Sequence, residues 1–185
     1  VLTINFIIAA LLSLTKHTSD ASVSETATKQ LLGMIYIPLL LSYLVWIRNG
    51  VNGISWIYFI IIITFCGDIG AFYIGSYFGR HKLSPTISPN KTIEGAVGGL
   101  AANLGVGALF KQLFMPFLPW GLSVLFFLLI GIAGQGGDLF ESGLKRAGNI
   151  KDSGTLLPGH GGILDRIDAL LFAAPVAYMF KEYIF

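Results

Sequence analysis

Long apolar runs, broken by short polar clusters, set the plan of this chain. A bilayer's hydrocarbon core of ~30 Å takes about 20 apolar residues of helix. Six segments approach that pattern: 1–14, 31–47, 54–78, 93–111, 119–140 and 164–185. The connections are 15–30, 48–53, 79–92, 112–118 and 141–163. The pattern predicts an all-α fold, a polytopic membrane helical bundle with about six transmembrane segments, forming one integral-membrane domain over 1–185. The first segment opens mid-run, without the positive flank or small-residue cleavage site of a signal peptide, and reads as the end of a clipped helix. Residues 15–30 are Ser/Thr-rich and read as a surface loop, and Pro38 predicts a kink in the second segment. The third and fifth segments end in Gly, Asp and Ser, which places their last turns outside lipid.

Composition sharpens this reading. Of 185 residues 54% are hydrophobic and 12% charged, with mean hydropathy +0.74. A soluble domain carries about a quarter charged residues. The single cysteine, Cys66, lies in an apolar run, which excludes a disulfide framework and a cysteine-based zinc site. A net charge of +2 gives no reason to expect nucleic acid. Where the cations sit is more telling. Lys16, Lys29, Arg80, Lys82, Lys91, Lys145, Arg146, Lys151 and Arg166 fall on one side of the six-segment plan, and Arg48, Lys111 and Lys181 on the other. The positive-inside rule then puts 15–30, 79–92 and 141–163 in the cytoplasm, on the inner membrane if the source is bacterial. The small residues Gly95, Gly98, Gly99, Ala102 and Gly105 recur at helical spacing, a pattern of close helix packing that would also serve a homodimer.

Four groups carry candidate chemistry. Asp68, in Phe-Cys-Gly-Asp-Ile-Gly, lies ten residues above the end of its segment, ~15 Å deep at 1.5 Å per residue. A carboxylate there needs a polar cavity, a metal or a lysine partner. Asp138, Glu141, Ser142 and Lys145 stand three and four apart, on one helical face. That face is either a solvated helix end or a polar stripe opposite Asp68. Asp165 and Asp168 open the last segment. The helix dipole favours them there, and two carboxylates on one face also suit Mg2+, which takes one or two carboxylates plus substrate phosphate. Asp68 and Asp138 could join that site. Finally, Pro158-Gly159-His160-Gly161-Gly162 precedes a helix start, and Ser88-Pro89-Asn90-Lys91-Thr92 precedes another that Thr92 can cap. Lys91, Lys145, Arg146, Lys151 and Arg166 supply charge for polyphosphate. His160 alone is more often structural than a catalytic base. No Walker A loop, nucleophile elbow or His-Glu-x-x-His helix is present.

At these residues the chain resembles the phosphatidate cytidylyltransferase family, the CDP-diacylglycerol synthases. The likeness rests on Ser142, Lys145, Arg146, Lys151, Asp152, His160, Gly161, Gly162, Asp165, Arg166 and Asp168, and reaches back through Ser88–Gly95 and Gly67–Gly75. The resemblance implies a magnesium-dependent transfer of CMP from CTP to phosphatidic acid, with release of pyrophosphate, and further membrane helices upstream. It implies catalytic roles for Asp68, Asp138, Ser142, Lys145, Asp165 and Asp168. Substrate contacts would come from Lys91, Arg146, Lys151, His160, Gly161, Gly162 and Arg166. Asp68, Asp138, Asp165 and Asp168 would hold Mg2+, with room for a second cation. Two rivals stand beside this reading. An ion-coupled transporter would also use a buried Asp68. A CTP-dependent lipid-alcohol kinase would need a base to activate a hydroxyl.

Overall fold

The computed structural model describes Ile8, residues 20–154 and residues 162–185. Among these, helix α1 (Asp20–Met34) runs through a π-helical turn (Ile35–Leu39) into α2 (Leu40–Asn49). A turn through Asn52, at φ 52°, leads into α3 (Gly53–Phe78). A two-stranded antiparallel hairpin follows, β1 (Lys82–Ser84) and β2 (Ser88–Thr92), pairing Lys82 with Thr92 and Ser84 with Ser88. Then come α4 (Ile93–Phe114), α5 (Trp120–Ala147) and α6 (Leu164–Met179), the last continuing as a π-helix over Phe180–Ile184.

Four helical stretches are long and apolar enough to cross a membrane: Thr28–Asn49, Gly53–Phe78, Ile93–Phe114 and Trp120–Ala147. The chain is thus a polytopic helical membrane protein, with four such spans among its described residues rather than the six expected. Segment 1–14 lies outside the described residues except for Ile8. The last segment is helical, but Asp165, Arg166, Asp168, Lys181 and Glu182 make it more polar than the other four. On α3, Ile54, Tyr58, Ile62, Phe65, Ile69, Phe72 and Tyr73 form an exposed apolar stripe at helical spacing, the face expected toward lipid.

Three local expectations need correction. Residues 20–30 are helical, not loop: α1 runs straight into the first span, and Glu25 and Lys29 pair at 2.6 Å one turn apart. Residues 79–92 hold the hairpin, whose strands are too short and too proline-rich to show alternation. Helix α5 extends seven residues past 140, because its polar residues keep helical spacing to Lys145. Pro38 sits inside the π-helical turn, where the missing N–H is absorbed by the wider helix.

The bundle has two chemically distinct ends. At one, Trp56, Phe59, Phe110, Phe126, Phe127, Phe180 and Phe185 make an aromatic core, with Phe59 stacked on Phe110 at 4.8 Å. At the other, the C-terminal ends of α3 and α5 meet the N-terminal ends of α4 and α6. The two ends are linked by the tight contact between α3 and α4. A Cβ on Gly70 would lie 2.5 Å from the Ala102 methyl, and one on Gly99 would lie 2.9 Å from the Gly67 carbonyl oxygen. Gly95, Gly98, Gly99 and Ala102 of the small-residue run therefore pack against α3 within this chain, whereas Gly105 is exposed with nothing within 4 Å.

Candidate functional site

The polar end encloses a cavity of about 660 Å³, with walls drawn from α3, both hairpin strands, α4, α5 and α6. Its charged residues are Asp68, Lys91, Asp138, Lys145, Asp165 and Asp168. Residues as far apart in sequence as Asp68 and Asp168 thus face one space, which the hydrophobic pattern alone could not reveal.

Hairpin geometry explains the placement of Lys91. The Thr92 hydroxyl accepts the Gly95 N–H at 3.1 Å and so caps α4, as its position before the helix predicts. One turn in, Glu94 reaches back to the backbone N–H groups of Arg80 and His81, at 3.1 and 3.2 Å, and to the His81 ring at 2.6 Å. These bonds close the hairpin base. Lys91, one residue before the cap, then meets Asp138 with Nζ 2.6 Å from Oδ2. Ser142 stands 3.5 Å from the other Asp138 oxygen.

A second cation is held from two sides. Lys145 pairs with Glu141 one turn back on α5, and its Nζ lies 2.7 Å from Asp165 Oδ1 on α6. Glu141 is only 1% exposed, and neither of its oxygens has a well-formed hydrogen bond, so the contact is an ion pair alone. Asp165 is far better satisfied. It also accepts the Ser153 hydroxyl at 2.9 Å, the Ser153 N–H at 3.1 Å and the Gly162 N–H at 2.7 Å. These donors favour the carboxylate form and tie the start of α6 to the chain that precedes it.

Asp68 and Asp168 differ from Asp165. Asp68 makes no hydrogen bond or ion pair among the described residues and faces the cavity. Asp168 is 8% exposed and accepts one bond, from the Ala169 N–H at 2.8 Å. Together with Asp138 they put three hard oxygen donors around one space. Among the described residues no three Asp, Glu, His or Cys side chains are drawn close enough to form a metal cluster by themselves. The arrangement fits the looser mode in which Mg2+ takes one or two carboxylates and completes its shell with water and substrate phosphate.

The other residues singled out from sequence fall elsewhere. Arg146 is exposed, and its guanidinium reaches the carbonyls of Ile87 and Ile150, each at 3.3 Å. Lys151 and Asp152 are exposed, as is Arg166 on the first turn of α6. Gly162 is buried against Ser153 and donates to Asp165. His160 and Gly161 lie outside the described residues. Conversely, Ser76 and Gln135 line the cavity and escaped the sequence reading, and Asn90, noted there only as a turn residue before the α4 cap, lines it too. Gln135 Nε2 donates to the Ala96 carbonyl at 2.9 Å, tying α5 to α4. Glu141 was visible only as part of a polar stripe.

Comparison with known proteins shows the family of this chain. The phosphatidate cytidylyltransferase of Bacillus subtilis strain 168 is 42% identical over 148 residues, covering 80% of this chain and 55% of the relative. That of Staphylococcus saprophyticus is 42% identical over 147 residues, covering 79% and 55%. That of Brucella suis biovar 1 is 47% identical over 128 residues, covering 69% and 47%. The chain thus spans about half the length of these relatives. The model of the cytidylyltransferase family matches residues 1–184, and the chain belongs to that family.

Proposed function

We propose that this chain carries the active site of an enzyme that transfers CMP from CTP to phosphatidic acid, forming CDP-diacylglycerol and pyrophosphate. One observation carries the reading. A cavity walled by membrane helices joins two lysines to a set of carboxylates, at the positions by which the chain resembles phosphatidate cytidylyltransferases. In this reaction an oxygen of the lipid phosphate attacks the α-phosphorus of CTP. The bond from that phosphorus to the bridging oxygen breaks, and its electron pair leaves with pyrophosphate. The nucleophile is already anionic, so no strong base is needed, and catalysis is mainly positioning and charge neutralisation.

Lys91, from β2, and Lys145, from α5, neutralise phosphate oxygens. Asp138 and Asp165 hold those ammonium groups in place at 2.6 and 2.7 Å. Asp68, Asp138 and Asp168 would hold Mg2+, which supplies charge stabilisation to phosphate oxygens. The excess of cations at this end argues for a cytoplasmic site, where CTP is available.

The test is direct. Purified protein in detergent is given labelled CTP, Mg2+ and either phosphatidic acid or diacylglycerol. CDP-lipid should form only from phosphatidic acid, with pyrophosphate released one for one. CDP as the nucleotide product would establish a kinase instead.

A further inference from the structure

Beneath the main cavity lies a second, much smaller one, between α3, α4, α5 and α6. Asp68 and Gln135 line both, so the two spaces share a wall. The rest of its lining is Thr64, Asn103 and small or apolar residues. Asn103 is 2% exposed, and its Oδ1 has no hydrogen-bond partner. Its position is fixed from both sides: a Cβ on Gly67 would strike Oδ1, and one on Gly131 would strike Nδ2. The two glycines therefore admit the amide between α3 and α5, with its oxygen toward Gly67.

Buried carbonyl oxygens in a membrane bundle find a donor. Among the described residues no side chain donates to Asn103 Oδ1. Thr64 spends its proton on the Ile60 carbonyl, at 2.5 Å, and Gln135 spends one on Ala96. The space open to a water centre is about 10 Å³, close to the ~10–15 Å³ that one water requires. Asn103 Oδ1 and the Asp68 carboxylate as acceptors, with the second Gln135 N–H as donor, give such a water the two to four polar partners it needs.

We propose that this inner cavity binds a single water molecule, which donates to Asn103 Oδ1 and to the Asp68 carboxylate and makes Asn103 a positioning residue for Asp68. The water site stands on geometry alone; its effect on rate rests on the proposed cytidylyl transfer.

Two measurements test it. In an experimental structure that resolves waters, a density peak should lie ~2.8 Å from both Asn103 Oδ1 and an Asp68 oxygen. An ordered Asn103 beside an empty inner cavity overturns the proposal. In kinetics, Asn103→Leu fills the space without an acceptor and should lower kcat about tenfold or more, leaving the KM for CTP within about twofold. Asn103→Ser keeps an oxygen and leaves room for further water, and should retain kcat within about threefold of wild type. Equal loss in both variants, or wild-type kcat in the leucine variant, overturns the positioning role. If the wild-type protein makes no CDP-lipid at all, the assigned reaction fails, and the density test still decides the water site.

Discussion

Removing Lys145 should harm the fold more than removing the acid it neutralises. Its ammonium serves two carboxylates, Glu141 and Asp165, whose side chains are 1% and 12% exposed. In Lys145→Met both lose their cation. Asp165 still accepts from Ser153 and Gly162, but Glu141 has no other cation among the described residues. Stranding one partner of a buried ion pair costs about 3–5 kcal/mol, or roughly a hundredfold or more in the unfolding constant. In Glu141→Leu the lysine keeps Asp165 at 2.7 Å, so the expected loss is about 1 kcal/mol. The double variant replaces the pair by apolar groups of similar size, which is often close to neutral. It should therefore be more stable than Lys145→Met alone by about 2 kcal/mol or more, a clear coupling in a double-mutant cycle. Its activity should stay as low as that of Lys145→Met, since the cavity has lost one of its two lysines. Reversible unfolding in mixed micelles gives the stabilities, and CDP-lipid formation gives the rates. Equal destabilisation by the two single variants, or simple additivity in the double, would refute the reasoning.

Other outcomes follow from particular contacts. Gly99→Ala places a methyl 2.9 Å from the Gly67 carbonyl oxygen and should destabilise by about 1–3 kcal/mol, whereas Gly105→Ala, with nothing within 4 Å, should not; thermal unfolding separates them. Asp165→Asn and Asp168→Asn should both lower CDP-lipid formation by about two orders of magnitude. Only Asp165→Asn should lower thermal stability, because its new amide would face the N–H groups of Ser153 and Gly162; equal stabilities would count against this distinction. Single cysteines at Ser84 and Ser153, in a Cys66→Ala background, should label from the same face of oriented vesicles, and labelling from opposite faces would contradict the topology.

Much of this was legible in the sequence. Helices α3, α4 and α5 stand where long apolar runs put them, and the positive residues mark the end that holds the cavity. Thr92 announces the start of α4 by its type and position. The polar stripe from Asp138 to Lys145 remains helical because its spacing does. The hairpin was not legible: three- and five-residue strands with Pro85 and Pro89 in or between them give no period-two signal. The pairing of Lys91 with Asp138 joins residues 47 apart, and no local pattern announces such a contact. Gln135 and Asn103 are single amides within apolar helices and drew no reading, and only the packing shows that they line polar cavities. Gly67 stood out only as a neighbour of Asp68, and Gly131 not at all. Their particular use, admitting the Asn103 amide, depends on which residue faces them.

The charge lining the main cavity carries the argument one step further. Four aspartates face it against two lysines, and each lysine is already paired with an aspartate. A space with surplus negative charge repels a triphosphate and a lipid phosphate alike, and low polarity around it strengthens that repulsion. The same surplus attracts a divalent cation. Nucleotide binding should therefore be coupled to metal, and the coupling should reside in the carboxylates that pair with no lysine among the described residues, Asp68 and Asp168. In wild-type protein, CTP affinity measured by calorimetry should fall at least about tenfold when Mg2+ is replaced by EDTA. In the Asp68→Asn/Asp168→Asn double variant, affinity in EDTA should instead exceed that of wild type, because two like charges have left the site, while CDP-lipid formation is lost. A double variant that binds CTP in EDTA no better than wild type would mean that these carboxylates do not face the phosphates, and the cavity would lose its claim to the nucleotide.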